Sequence, residues 1–160
     1  MIETIYSKIL VPYDGSKHAE KALNKAVNLA KLIKGSEIII LNVIEEILTP
    51  PLVFPTRIRH YKTGEDTTLS TYFRDLQTDM RYKMINTLEK IKQKYENSVK
   101  IRTVVLVGSA EDKIVEYANR QNVDLIVMGS KGLKGISRLL MGSVSRHVSE
   151  KVKCSVMIVR

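Results

Sequence analysis

Short apolar segments alternate with amphipathic helical segments along the 160 residues, and this alternation restricts the fold more than any other feature of the chain. Several apolar segments, such as EIIILNV at residues 37–43, are apolar on both faces, as buried parallel strands are. Strands are predicted at residues 7–13, 37–43, 99–107, 123–128 and 155–159, with helices beginning near Ser16, Leu69, Ser109 and Ser143. With right-handed crossovers, this order predicts an α/β fold, a doubly wound five-stranded parallel sheet with helices on both faces.

Local signals at the ends of the elements refine this prediction. Ser16 is predicted to be the N-cap of the first helix. Ser109, followed three residues later by Asp112, has the spacing of a capping box at the start of the third helix. Lys100 and Arg102 alternate with apolar residues at the start of the third strand, which predicts an edge strand with one face in water.

The composition is that of a single globular domain spanning residues 1–160, with 44% hydrophobic and 27% charged residues. The net charge is +9, but basic residues are spread among acidic ones without a long run of one sign, so nucleic-acid binding is not predicted. No stretch approaches the roughly 18 apolar residues of a membrane span, and the N-terminus lacks the pattern of a signal peptide. The single cysteine, Cys154, allows no intramolecular disulfide. We therefore expect a cytoplasmic protein without a membrane partner.

Glycine and serine are concentrated between residues 128 and 145, in the sequence MGSKGLKGISRLLMGSVS. Gly129 and Gly132 are separated by two residues, and nine residues then precede Gly142 and Ser143. A chain that wraps a polyphosphate needs N–H groups that point inward, and glycine permits the close approach. Gly142 and Ser143 stand at the predicted start of the fourth helix, where unpaired N–H groups and the dipole attract anions. The stretch is therefore predicted to bind phosphates, with Lys131 adding positive charge.

The loop after the first strand reads Pro12-Tyr13-Asp14-Gly15. If the strand order is 3-2-1-4-5, this loop and Gly129 flank the crevice between strands 1 and 4, where doubly wound sheets bind ligands. Asp14 could then accept hydrogen bonds from a base or ribose, although Asp-Gly is also common turn chemistry. The chain has neither G-x-x-x-x-G-K-[ST] nor G-x-G-x-x-G, so neither a P-loop NTPase nor a dinucleotide site is predicted.

At these residues the chain resembles the universal stress protein family in its ATP-binding branch. The resemblance covers nearly the whole chain and lies in KILVPYDGS, LNV, VGSAEDKI, VDLIVMGSKG, GSVSRHVSEKV and SVMIVR. The order of glycine, two residues, glycine, nine residues, glycine and serine is the ATP-binding pattern of that branch. The resemblance implies the strand order 3-2-1-4-5, dimerisation through the last strand, and an ATP-binding site.

By this resemblance, the adenosine part of ATP contacts the first loop and the end of the second strand, and the phosphates contact the glycine loop. The implied residues are Pro12, Tyr13 and Asp14 at the adenosine, the Val43 backbone at the adenine, Met128 and Gly129 at the ribose, and Gly132, Gly142, Ser143, Val144 and Ser145 at the phosphates. Ser130 and Lys131 complete the predicted site. Mg²⁺ or Mn²⁺ is expected on the phosphates of the nucleotide, and Ser143 could also simply cap its helix.

No catalytic or metal-binding residue is predicted, because Asp14 is the only acidic residue placed near the phosphate loop and the three histidines are scattered. Three functions stay open. The first is a regulatory or stress-response protein that holds ATP with little or no turnover, and the second is a slow metal-dependent ATPase or phosphotransferase. The third is an adaptor that binds an unidentified macromolecule through its basic surface and residues 45–66.

Residues 45–66 form an irregular, proline-containing region in the sequence. The region is interpreted as a loop that packs over the sheet edge or against a dimer partner. A lid over the nucleotide and a docking site for another protein are the alternatives.

Overall fold

The computed structural model describes residues 5–48, 57–133 and 141–160, in which strands alternate with helices. In chain order, the elements are β1 (Lys8–Pro12), α1 (Lys17–Leu32), β2 (Glu37–Ile44), β3 (Arg57–Arg59), β4 (Asp66–Thr68), α2 (Leu69–Tyr95), β5 (Lys100–Val107), α3 (Ala110–Arg120), β6 (Leu125–Gly129), α4 (Ser143–Lys151) and β7 (Ser155–Val159). The predicted strands and helices are all present, and β3 and β4 are additional.

Five parallel strands form the central sheet in the order β5-β2-β1-β6-β7. Counted among these five strands alone, this is the predicted order 3-2-1-4-5, and the predicted fold class is confirmed. The central strand β1 pairs with β2 from Lys8–Glu37 to Pro12–Leu41. The other neighbour of β1 is β6. After β1 the chain continues to β2 on one side of this central pair, and after β6 it continues to β7 on the other side.

Helices cover both faces of the sheet because both faces of the central strands are apolar. One face, which includes Ile9, Val11 and Ile40, packs against α1 and α2. The opposite face, which includes Leu10 and Ile126, packs against α3 and α4. The buried side of α1 is built largely of alanine, at positions 19, 22, 26 and 30, so its backbone can lie close to the strands.

The helix starts follow the sequence signals only in part. Ser16 is the N-cap of α1, and its side chain accepts a hydrogen bond from the Ala19 N–H at 3.1 Å, as predicted. Ser109 is the N-cap of α3, but its side chain makes no capping hydrogen bond. The prediction of a capping box between Ser109 and Asp112 is therefore wrong. The Asp112 carboxylate instead lies 3.8 Å from Nε2 of His147 on α4.

The outer strand β5 has the wet face that its sequence predicts. Lys100 and Arg102 are exposed, and both side chains reach back to Glu37 on β2, at 3.4 Å and 3.7 Å. The basic residues that interrupt the apolar pattern therefore mark the solvent side of an edge strand.

A short β-hairpin formed by β3 and β4 was not predicted from the sequence. It overlaps the predicted irregular region, residues 45–66, and extends two residues beyond it. Strands β3 and β4 pair antiparallel, and the turn between them packs on the N-terminal half of α2. Tyr61 and Lys62 both contact the Asp79 carboxylate, and Nε2 of His60 lies 3.2 Å from Oδ2 of Asp75. This part is a folded hairpin on a helix, while residues 49–56, including the three prolines of the region, lie outside the described residues.

Within the described ranges, every helix is too short or too polar to cross a membrane.

Candidate functional site

The carboxyl ends of β1 and β6 lie side by side at the centre of the sheet, and the chain continues from them in opposite directions. From β1 it passes through α1 to β2, and from β6 it passes through α4, on the other face, to β7. Ligands of doubly wound sheets bind at such a point. Pro12 ends β1 there, so the loops after the two strands bring the predicted site residues to one crevice.

Asp14 connects these two loops. Its Oδ1 accepts a hydrogen bond from the Ser16 N–H at 2.9 Å, which forms the turn into α1. Its Oδ2 accepts a hydrogen bond from the Leu133 N–H at 3.0 Å, across 119 positions of sequence. The structure thus gives Asp14 the turn role that the sequence left open, and a contact between loops that the sequence did not predict. Its contact with a base or ribose stays a prediction.

The backbone of Val43 faces the crevice. The last hydrogen bond between β1 and β2 runs from the Tyr13 N–H to the Leu41 carbonyl oxygen, at 2.8 Å. Backbone groups two residues apart point to the same side of a strand, so the N–H and C=O of Val43 point to the side that β1 has left. Val43 itself is half-buried and pairs with Leu106 on its other neighbour, β5. This placement suits a backbone contact to a flat polar base.

The polar groups of Tyr13 are engaged within the protein. Its side chain is 8% exposed, and its hydroxyl donates to Oε2 of Glu20 at 2.9 Å. Burial and this hydrogen bond raise the pKa of Tyr13 to about 12. Its carbonyl oxygen accepts a hydrogen bond from Nδ2 of Asn42 at 2.7 Å. Position 13 therefore contributes a fixed turn, and the adenosine contact implied for Tyr13 stays a prediction.

Asn42 is a site residue that the sequence interpretation missed. Its side chain is 5% exposed and braces the first loop through the bond to Tyr13, while its Oδ1 has no partner among the described residues. Burying an amide is costly unless it is hydrogen-bonded, and here the Nδ2 bond offsets part of that cost and holds the turn before Asp14. The signal was present: an asparagine interrupts a strand that is otherwise apolar after Glu37.

Gly129 ends β6 where the first turn of α1 comes closest to the sheet. A Cβ atom at Gly129 would lie 2.7 Å from the His18 Cβ and 2.8 Å from the His18 carbonyl carbon. Met128 is 4% exposed and packs on the α3 and α4 face. The contacts of Gly129 and Met128 with a ribose stay predictions, because the packing of α1 alone requires glycine at position 129.

Ser130 joins the glycine loop to α4. Its N–H donates to the Val159 carbonyl oxygen, and its own carbonyl oxygen accepts from the Gly142 N–H, both at 2.8 Å. The Ser145 hydroxyl donates toward the same Ser130 oxygen and toward the Gly142 oxygen, at 3.0 Å each. Ser145 is 2% exposed, so its hydroxyl positions α4, and the geometry does not favour the phosphate contact expected of it.

The N-terminus of α4 therefore lies at the crevice, held by Ser130. Gly142 is its N-cap, so the interpretation of Ser143 as the cap is wrong; Ser143 is the first helical residue and is exposed. Val144 is half-buried and packs toward α3. The first N–H groups of a helix have no partner inside it and carry partial positive charge, which makes this end suited to an anion.

Gly132 and Lys131 lie in the loop between β6 and α4. Gly132 is exposed and Lys131 is half-buried. A Cβ atom at Gly132 would lie 2.6 Å from Oδ2 of Asp14. At position 132, the Asp14 carboxylate therefore occupies the space that a side chain would need. Gly135 and the rest of residues 134–140 lie outside the described part of the chain.

Comparison with known proteins agrees with this architecture. The pattern of the universal stress protein family matches residues 5–160. The chain is 31% identical over 161 residues to the universal stress protein MJ0577 of Methanocaldococcus jannaschii, over 99% of this chain and 98% of that protein. The solved structure of MJ0577 aligns with a TM-score of 0.78 over 97% of this chain and 96% of the other.

Two more distant structures carry nucleotides. A universal stress protein in complex with cAMP aligns with a TM-score of 0.64, at 22% identity over 97% of both chains. A family protein from Arabidopsis thaliana with AMP bound aligns with a TM-score of 0.54, at 18% identity over 96% of this chain and 90% of that one. At these identities the two structures establish a common fold. The match to the family pattern and the near full-length similarity to MJ0577 show that the chain belongs to the universal stress protein family.

Proposed function

We propose that this chain is an ATP-binding universal stress protein with a regulatory or stress-response role, which holds the nucleotide with little or no turnover. One observation carries the proposal: the Asp14 loop, the Val43 backbone near the end of β2 and the N-terminus of α4 all lie at the carboxyl edge of the sheet, where hydrogen bonds join Leu133 to Asp14 and Gly142 to Ser130. A base, a ribose and a chain of phosphates need those three kinds of group. The cAMP and AMP complexes of proteins with this fold support the adenine part of the proposal.

Metal would enter this site with the nucleotide. No group of three His, Cys, Asp or Glu side chains in the described part of the chain could hold a metal ion. Mg²⁺ or Mn²⁺ would therefore bind chiefly to the phosphate oxygens, which are hard ligands that both ions accept. Lys131 and the α4 N-terminus would neutralise the remaining charge.

Slow turnover is part of the proposal because the site offers charge stabilisation without a clear water-activating group. Both carboxylate oxygens of Asp14 already accept backbone hydrogen bonds, from Ser16 and Leu133. Phosphoryl transfer to water also needs a group that orients the water. We expect phosphate release well below about 1 s⁻¹, the low end of ordinary enzymes.

A homodimer through β7 is a further part of the proposal. β7 is an edge strand, and Met157 on it is 40% exposed. A free strand edge tends to pair with another strand, and two copies related by a two-fold axis would cover both edges. A cytoplasmic location is proposed with it, because the single thiol, Cys154, is unpaired and the cytoplasm keeps thiols reduced.

The decisive experiment identifies the ligand without assuming it. The protein is purified without added nucleotide and denatured, and the released small molecules are identified by mass spectrometry. Calorimetry then compares ATP, ADP, AMP, cAMP and GTP, each with and without Mg²⁺. Retained or tightly bound ATP supports the proposal; no adenine nucleotide in either measurement contradicts it.

Two further outcomes separate the remaining functions. Steady-state phosphate release above about 1 s⁻¹ with metal would favour the ATPase over the nucleotide-holding protein. For the adaptor, a specific observation exists in the folded β3–β4 hairpin, whose Arg57, Arg59 and Tyr61 are exposed. A pull-down that loses its partner when this hairpin is shortened, in the absence of nucleotide, would favour the adaptor.

A further inference from the structure

We propose that Asp14 is a positioning residue for the phosphate-binding loop, and that Gly132 is glycine because the Asp14 carboxylate occupies the space of its side chain. This proposal rests on the nucleotide-binding function proposed above. It assigns to Asp14 a role beyond any contact with adenosine, since one oxygen shapes the first loop and the other shapes the second.

The two oxygens of the Asp14 carboxylate accept hydrogen bonds from two different loops. Oδ1 accepts from the Ser16 N–H at 2.9 Å and stays within its own loop. Oδ2 accepts from the Leu133 N–H at 3.0 Å and ties the loop after β1 to the loop after β6. The side chain of Leu133 is 72% exposed, so packing of that side chain does little to hold the backbone there. Among the described residues, the Asp14 bond is therefore a contact that can orient this stretch of the glycine loop.

Gly132 gives independent evidence for this arrangement. An added Cβ would lie 2.6 Å from Oδ2 of Asp14 and 3.8 Å from its Cγ, and apart from the two chain neighbours no other heavy atom of the described residues is within 4 Å. Two non-bonded heavy atoms do not approach to 2.6 Å without a hydrogen bond, so a methyl group must displace the carboxylate. Alanine at position 132 therefore breaks the same bond that loss of Oδ2 breaks.

The consequence for binding depends on which part of the nucleotide is tested. In the proposed site, adenosine ends at the ribose near Gly129 and does not extend to Gly132 and Leu133, whereas the phosphates of ATP do. If Asp14 positions that loop, its loss weakens ATP more than adenosine. A residue that contacts only the adenosine part weakens both ligands by the same factor.

Asp14→Asn is the main variant, because its remaining carbonyl oxygen can still accept from Ser16 while an amide NH₂ cannot accept from Leu133. The expected loss for ATP exceeds the loss for adenosine by about 10-fold, the lower end for a hydrogen bond to a charged group. Asp124→Asn is the matched control. Its carboxylate also accepts two backbone N–H bonds, from Ser7 and Lys8, at 2.9 Å and 2.8 Å, but it lies at the amino edge of the sheet. Asp124→Asn is expected to leave the ratio of ATP to adenosine affinity unchanged.

A double-mutant cycle tests the role of Gly132. Gly132→Ala is expected to weaken ATP by a similar factor, and to have no further effect in an Asp14→Ala protein, where the carboxylate is gone. If Gly132→Ala costs the same factor in both backgrounds, the space belongs to the phosphate and the proposal is wrong. Equal losses of ATP and adenosine in Asp14→Asn would also overturn it.

One measurement requires no ligand, so it can distinguish failure of the positioning role from failure of the proposed nucleotide binding. Hydrogen exchange of the Leu133 amide, followed by nuclear magnetic resonance, is expected to speed up in Asp14→Asn and not in Asp124→Asn. Unchanged exchange overturns the positioning role even if ATP binds. Faster exchange in a protein that binds no nucleotide supports the role of Asp14 while the proposed function fails.

Discussion

Replacing Ser143 by alanine separates nucleotide binding from folding at the start of α4. Ser143 is exposed and is the first helical residue, with Gly142 as the N-cap. Its hydroxyl can therefore reach a phosphate oxygen without being needed for the cap. A hydrogen bond to a charged oxygen contributes roughly 1.5–3 kcal/mol, which corresponds to about a 10- to 150-fold loss of ATP affinity in Ser143→Ala.

Ser145, two residues later, is expected to behave in the opposite way. It is 2% exposed, and its hydroxyl lies 3.0 Å from both the Ser130 and the Gly142 carbonyl oxygens. Removing a buried hydrogen bond of this kind costs about 1 kcal/mol, or more where an acceptor is left unsatisfied. For a domain of this size, 1 kcal/mol lowers the melting temperature by roughly 2–4 °C. Ser145→Ala therefore loses stability first, and loses affinity through the displaced helix.

The assay pairs calorimetric titration with ATP and Mg²⁺ with thermal unfolding of the ligand-free protein. Ser149→Ala is the control on the same helix, since Ser149 is exposed and, within the described part of the chain, its hydroxyl donates to the Arg146 carbonyl oxygen of its own helix, at 2.8 Å. Ser143→Ala should change affinity without changing the melting temperature, and residual phosphate release at saturation should stay the same. A Ser143→Ala protein with wild-type affinity would refute the assignment of the α4 N-terminus to the phosphates.

Three further changes test other parts of the structure. If the proposed homodimer forms through β7, Ile158→Pro should leave a folded monomer in light scattering, because the Val159 carbonyl faces β6 and the neighbouring Ile158 N–H faces the sheet edge. A stable Ile158→Pro dimer would contradict pairing through β7. Gly129→Ala should lower stability by about 1–3 kcal/mol in urea unfolding, since its methyl group would overlap the His18 backbone, and an unchanged midpoint would show that α1 can move away. The raised pKa of Tyr13, about 12 against 10.0, keeps its hydroxyl protonated in the folded protein, so this contribution to stability is complete below pH 10 and is lost as pH rises from 10 to 12. Tyr13→Phe should be less sensitive to pH across that window, and equal sensitivity in both proteins would contradict burial and the Glu20 bond as the cause of the raised pKa.

The sheet could be predicted from the sequence because its strands are buried on both faces. A segment such as residues 37–43 has almost no polar side to place in water, and its alternation with amphipathic helices favours a parallel sheet that helices cover on both faces. The β3–β4 hairpin could not be predicted in the same way. Each of its strands has three residues with one half-buried position, which is too short for an alternating pattern to be recognised. Its position depends on contacts with α2, such as that of Tyr61 with Tyr72, which no local pattern encodes.

The site could be predicted as a set of residues but not as a set of roles. Spacing and residue type predict that Asp14, the glycine loop and the α4 start lie at one edge of the sheet. The hydrogen bonds from Leu133 to Asp14 and from Gly142 to Ser130 join them there, while their contacts with a nucleotide stay predictions. Whether a given oxygen or hydroxyl can contact a ligand depends on distances between segments that are far apart in the sequence. Ser143 and Ser145 look alike in the sequence, yet one is exposed and the other is buried under Ser130. Asn42 was missed because a single polar residue in a strand has many possible explanations.

Gly129, Gly132 and Gly142, the glycines of the loop that lie among the described residues, have three different neighbours. A Cβ at Gly129 would meet the His18 backbone, one at Gly132 would meet the Asp14 carboxylate, and one at Gly142 would lie 3.3 Å from the Ser130 carbonyl oxygen. Each contact is made by the protein with itself. We therefore expect these three positions to hold the backbone around them without a ligand, so that its N–H groups would need little rearrangement if the proposed nucleotide binds.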